Sequence, residues 1–154
     1  MGLFEKLLNK HNLNEMITSI PEHWSVLNSN NSGRSMIIRK NVGLEKIAGN
    51  IHYAMSCGIG FEFLFPDENG FPDLQKEPEL HQLEKDVFET YEKDLNAIVA
   101  MVITSAGFKE FILYTKDVDE FNLRLEQLKV KYQQYTLTCY NQNDANWTTF
   151  KSIK

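Results

Sequence analysis

Cysteine is scarce in this chain: Cys57 and Cys139 are the only two in 154 residues, far apart and each in an apolar segment. Thiols so placed read as buried and reduced, as in a cytosolic protein, and indicate no disulfide framework. No stretch approaches the roughly 20 apolar residues that a membrane-spanning helix needs. Residues 1–10 lack the unbroken apolar core of a signal peptide, because Glu5 and Lys6 interrupt the pairs Leu3-Phe4 and Leu7-Leu8. Lys6 also stands where a myristoylation motif beginning at Gly2 wants Ser or Thr. The expectation is a cytoplasmic protein without a membrane partner. Basic residues are outnumbered, 16 Lys and Arg against 21 Asp and Glu, for a net charge of −5. That deficit disfavours nucleic acid, whose backbone is held largely by Lys and Arg, and leaves a basic protein as a suitable partner.

The groups that usually carry chemistry are equally thin. His11, His23, His52 and His81 are dispersed, with no pair spaced to put two imidazoles on one zinc. Asp67, Asn69 and Asp73 suggest calcium until the register is checked, because Gly70 and Phe71 break the alternation of oxygen ligands; the segment reads as a polar turn. Gly58 and Gly60 are too few for a phosphate loop, and strand-like residues follow them. His52 and Cys57, five residues apart on a strand, fall on opposite faces and make no thiol–base pair. Ser56 and Ser105 lack the Gly-x-Ser-x-Gly elbow. No catalytic nucleophile, cofactor or metal ligand is nominated.

What the chain does have is periodicity. Residues 3–10 and 13–19 have helical spacing and end at Pro21, which predicts a short helical arm over 1–22 ahead of one domain over 23–154. Residues 23–28 and 34–40 flank an Asn- and Gly-containing turn and predict a β-hairpin. A long strand is expected over 51–65, bent near Gly58 or Gly60, with Phe61, Phe63 and Phe65 on one side. Leu80, Leu83, Val87, Tyr91, Leu95 and Ile98 recur every three or four residues and predict a helix over 77–97. The apolar run 97–103, the turn at Ser105-Ala106-Gly107 and the run 108–115 form a second hairpin. Asp117 and Glu120 open a second helix ending near Tyr132, residues 135–140 alternate as a last strand, and Trp147 and Phe150 fold back on the body. From residue 51 the order strand, helix, strand, strand, helix, strand predicts an α+β fold, a ferredoxin-like split βαβ antiparallel sheet with two helices on one face. The N-terminal hairpin extends or flanks that sheet.

Several landmarks together resemble a bacterial family known only as domain of unknown function 695. They are Trp24, Gly70-Phe71-Pro72, Leu83-Glu84-Lys85-Asp86, the run from Thr104 to Glu110, Tyr114-Thr115-Lys116-Asp117, and Asp144-Ala145-Asn146-Trp147. The likeness spans roughly Trp24 to Phe150. It departs at Phe108-Lys109-Glu110, where the family tends to have Arg-Glu after the glycine, and at Ala145, where it tends to have Pro, so no arginine-dependent role carries over. The resemblance implies a compact α+β domain of no assigned activity, in some members joined to a domain that looks like a protein regulator of ribonuclease E.

Three functions are weighed. The leading expectation is a non-enzymatic protein-binding or regulatory module. Residues 77–97 carry seven acids against Lys85 and Lys93, a surface that is either merely solvated or able to steer a basic partner. Glu84, Glu89, Glu92 and Trp147 are the candidate contact residues, on that helix or beside an open sheet face, and a second copy of the chain is left open as partner. A small hydrolase or transferase with a cleft near His52, Glu62 and Asp73 is the rival. RNA binding is the third, because Gly107 to Tyr114 resembles the aromatic signature of RNA-recognition motifs. Its register fails: Phe108 and Phe111, three apart, point to opposite faces and form no single platform.

Overall fold

Strand-forming residues at Trp24–Asn31 (β1) and Arg34–Asn41 (β2) pair antiparallel, from Trp24 opposite Asn41 to Asn31 opposite Arg34. The computed structural model describes residues 13–31 and 34–154, so this hairpin is observed, while Ser32 and Gly33 of its turn lie outside the described residues. The helical spacing read over 3–10 also lies outside them, whereas residues 13–19 form a helix (α1). After β2 come two 3₁₀ turns, Val42–Lys46 and Ile51–Tyr53. The second takes the start of the long strand expected from residue 51, because the Asn50 side chain accepts the His52 N–H and winds the backbone there.

The strand itself is Met55–Glu62 (β3). It stops because the Phe63 N–H turns to the Gly107 carbonyl at 2.8 Å, and the next two N–H groups go to one side chain. Glu77 is fully buried, and its carboxylate accepts the Leu64 N–H at 2.9 Å and the Phe65 N–H at 2.7 Å. Phe61 and Phe63 are buried as expected, but Phe65 is 48% exposed because its backbone has left the ladder. With Glu77 committed to that task, the first long helix begins later than residue 77, at the first member of its apolar stripe, as Leu80–Glu92 (α2). It also ends earlier: Leu95, placed on the helical stripe by spacing, has φ +57 and breaks the helix.

Ala97–Ser105 (β4) and Phe108–Thr115 (β5) form the second hairpin, turning through Ala106 (φ +54) and Gly107 (φ +80), the two positive φ values of a tight hairpin turn. Asp117 Oδ1 accepts the Glu120 N–H at 3.1 Å and caps Val118–Lys131 (α3), which ends at Tyr132 as its spacing predicts. The last strand, Thr138–Asn143 (β6), starts three residues later than expected. Tyr135 and Leu137 are buried, yet they pack before the ladder begins. A short helix, Thr148–Ser152 (α4), closes the chain.

All six strands form one antiparallel sheet in the order β1-β2-β4-β5-β3-β6. Leu83, Val87 and Tyr91 of α2 and Phe121, Leu125 and Leu128 of α3 pack on Ile59, Phe61, Val99, Phe111 and Leu113, so both helices cover one face. A shift in register between Val99 and Met101 turns Val102 to the helices and Met101 away from them.

The opposite face is not the open surface expected. Leu13, Ile17, Leu44, Ile47, Trp147 and Phe150 pack on Ile98, Met101, Ile112 and Tyr114 as a second buried cluster. Residues 13–19 pack on this face through Leu13 and Ile17. Only the rest of that face, where Phe108 lies over Gly60 and Tyr140 over Gly58, is less covered. Phe111 meanwhile sits among the helix-side residues, so the two rings of the RNA-like segment do lie on opposite faces.

Candidate functional site

The four residues singled out from sequence separate into four environments. Glu84 is already neutralised: its Oε1 accepts from Arg39 and lies 3.4 Å from the Lys109 Nζ. Burial pushes its carboxyl up, but these two cations hold it below the usual range. Burial likewise lowers the Lys109 ammonium. Glu89 is exposed on the outer side of α2 and borders a shallow groove against α3.

Trp147 has no accessible surface and must be removed from the contact set. Its indole N–H donates to the Tyr53 carbonyl at 2.8 Å, and its ring stacks on Tyr114 at 3.9 Å between centroids. The neighbouring Asp144 explains why the chain returns here. It accepts the Tyr114 hydroxyl at 2.7 Å and the Thr148 and Thr149 N–H groups at 2.8 and 3.1 Å, starting α4. These bonds hold its carboxyl below the usual range against burial.

Glu92, by contrast, faces a cavity. It ends α2 at a cleft of about 480 Å³ between residues 14–22, the end of β2 and the turn into β4. One oxygen, Oε2, accepts the Val99 N–H at 2.9 Å. Burial pushes the carboxyl up to about 7; the Val99 bond pulls it down in part, and the nearby Glu22 carboxylate adds to the rise. Among the described residues no cation contributes to that balance, in contrast to Glu84, Asp86 and Asp94, each of which meets a Lys or Arg.

Asn41 lines the same cleft, is 8% exposed, and its side-chain oxygen has no hydrogen-bond partner among the described residues. A buried, unpaired acceptor costs about 1–3 kcal/mol unless a donor reaches it. The floor of the cleft is a clamped turn. The Tyr53 hydroxyl donates to the Leu95 carbonyl at 2.7 Å, and Arg124 holds Asp94 through two bonds of 2.9 and 2.6 Å. Arg124 keeps the Asp94 carboxyl down at about 2. The positive φ of Leu95 is the kind of backbone strain that such clamps sustain and that gathers at binding sites. Sequence reading missed Glu22, Asn41 and Leu95: the first two sit at element ends without any periodic signal, and Leu95 matched a helical stripe too well.

Other places offer less. His52 and Glu62 lie beyond and at opposite ends of β3, so the residues named for a hydrolase or transferase do not converge. A cavity of about 450 Å³ beside Phe61, Phe108 and Tyr135 has its most buried polar group satisfied, since the Tyr135 hydroxyl lies 2.8 Å from Glu77 and 2.9 Å from Glu79. Cys57 and Cys139, though far apart in the chain, both touch the Asn141 amide, at 3.0 and 3.6 Å. They are diagonal neighbours on paired strands, a spacing of roughly 7–8 Å between Cα atoms and too long for a relaxed disulfide. Both are free, and burial pushes the Cys57 thiol up to about 12, which leaves it unreactive. Among the described residues no group of three or more His, Cys, Asp or Glu is placed to hold a metal, and no helix is long and apolar enough to cross a membrane.

A family model described as a family of unknown function, DUF695, matches residues 22–153. No curated protein and no solved structure matches the chain.

Proposed function

The chain belongs to the DUF695 family, and we propose that it is a non-enzymatic module that binds another protein through the cleft beside Glu92. The observation that carries this reading is Glu92, a largely buried carboxylate that lines a cavity of side-chain size and meets no cation among the described residues. A catalytic site needs a nucleophile, base or metal converging on one point. Glu92 lacks such a companion among the described residues and calls instead for a donor brought from outside.

The residues behind the family likeness have structural employment. Gly70 packs on the backbone of Ala106 and Gly107, Trp24 meets Phe88 edge-on, and Tyr114, Asp144 and Trp147 build the second cluster. Glu22, Asn41 and Glu92 stand outside those motifs, so the binding role is read from this chain's own residues. We also read β3 to β6 with α2 and α3 as a ferredoxin-like split βαβ unit; the order β4-β5-β3-β6, with each helix joining strands that have another between them, supports that reading. Unpaired Cys57 and Cys139 support a cytoplasmic setting.

Affinity capture with the whole chain as bait tests the proposal. Glu92→Gln is expected to lose the captured protein, while Glu89→Gln and Glu84→Gln retain it; equal capture by all three variants rejects the cleft. Light scattering on the same samples separates a foreign partner from a second copy of the chain.

A further inference from the structure

The sheet carries an unfinished ladder at one end. β3 pairs with β5 along its whole length, from Met55 opposite Thr115 to Glu62 opposite Phe108, but its pairing with β6 stops at Gly60 opposite Thr138. The chain before Thr138 does not continue the ladder: Gln134 and Thr136 stand with Glu62, Leu64 and Phe108 around a cavity of about 450 Å³. Successive residues of a strand turn their N–H and C=O groups to opposite neighbours. The Phe63 N–H goes to the Gly107 carbonyl on the β5 side. The Glu62 N–H and C=O, one residue earlier, therefore point the other way, to the flank that β6 leaves open.

The Glu62 side chain is exposed beside that flank, and no ion pair among the described residues involves it. Phe108, directly opposite on β5, shares its face of the sheet and is partly exposed. Its ring lies over Gly60, where a Cβ would stand 2.4 Å from the Phe108 Cζ. A carboxylate free of cations beside an aromatic ring suits a guanidinium, which takes the two oxygens together and stacks on the ring; an ammonium matches neither geometry.

We propose that an extended segment of a partner protein adds to β3 at this notch, exchanging main-chain bonds with Glu62 and laying an arginine side chain against the Glu62 carboxylate and the Phe108 ring. Strand addition of this kind draws affinity from the main-chain bonds and selects its segment through the side chains. The cavity falls in the ~300–1,000 Å³ range usual for ligand sites. This contact goes beyond the Glu92 cleft and does not depend on it. It is also remote from the start of the described residues: Asn14 accepts from Lys116, just past the end of β5 and roughly 25 Å along that strand from Phe108.

The test is an NMR titration of the isotope-labelled full chain with acetyl-Thr-Val-Arg-Val-Thr-amide and three relatives, two with lysine or glutamate in place of arginine and one N-methylated at the arginine nitrogen. The Glu62 amide is expected to exchange quickly with solvent in the free chain and at least tenfold more slowly with the arginine peptide bound. Binding is expected to weaken about threefold with lysine, at least tenfold with glutamate or the N-methyl group, and at least fivefold in Glu62→Gln, whose altered side chain is exposed and leaves the fold intact. Equal binding of any of the three relatives, or unchanged affinity in Glu62→Gln, overturns the inference. So does a Glu62 amide that is already slow in the free chain. If dilution then quickens it, a second copy of this chain fills the notch; if not, a segment of the same chain does.

Discussion

With its carboxyl pushed up to about 7 from an ordinary 4.5, Glu92 exchanges its proton in the middle of the physiological range. The folded state therefore binds this proton more tightly than the unfolded chain does. That stabilisation is complete below about 4.5 and is lost as pH rises through about 7. Glu92→Gln, which cannot ionise, is expected to gain on the order of 2 kcal/mol relative to the unaltered protein between pH 5 and pH 8, allowing for partial exposure of the site. Urea denaturation at the two pH values checks it; parallel pH profiles would show the carboxyl to be ordinary. The glycines make a second contrast at this scale. A Cβ at Gly70, where φ is +83, would stand 2.7 Å from the Gly107 nitrogen, against backbone that has nowhere to go. One at Gly58 would meet the Tyr140 ring, which lies on an edge strand, is 41% exposed and is able to swing outward. Gly70→Ala should cost roughly 2–4 kcal/mol and Gly58→Ala about 1 or less, read from thermal midpoints.

Among the elements, α4 is the one whose importance exceeds its length. Five residues, Thr148–Ser152, bring Phe150 and the preceding Trp147 onto the sheet, and Trp147 is enclosed on every side. Trp147→Ala is expected to cost about 3–5 kcal/mol in urea denaturation. A variant that lost partner capture at unchanged stability would instead return Trp147 to the surface. The elements legible in the sequence were those with strong local rules: the Asp117 cap, the Ala106-Gly107 turn, and the stripe from Leu83 to Tyr91. Boundaries went astray where a distant residue overrode the local pattern. Glu77 takes the N–H groups of Leu64 and Phe65 out of β3, and the same side chain meets Tyr135 ahead of β6. The cleft was half legible for the same reason. Glu92 stands out in a list of acids, but its burial depends on Ile17, Glu22 and Asn41, more than fifty positions away in the chain.

At the scale of the whole molecule, one sheet serves two hydrophobic clusters, and neighbouring residues of the same strand belong to different ones: Ile98 and Met101 to one, Val99 and Val102 to the other. Neither cluster can dissolve without freeing the strands that the other uses. The chain's two tryptophans report on them separately, Trp24 against the helix-side cluster and Trp147 inside the opposite one. Phenylalanine at either position leaves a single reporter, and within each variant the fluorescence transition in urea is expected to coincide with that of circular dichroism. Separated midpoints would mean that α1 and α4 come away as a unit. A last consequence concerns the β4–β5 turn. A hairpin tip ordinarily frays first, yet here the Gly107 N–H is bonded to the Gly70 carbonyl at 2.9 Å and the Gly107 carbonyl to the Phe63 N–H at 2.8 Å. Deuterium from solvent should therefore reach those two amides late, and a protease seeking a hinge should pass this tip by.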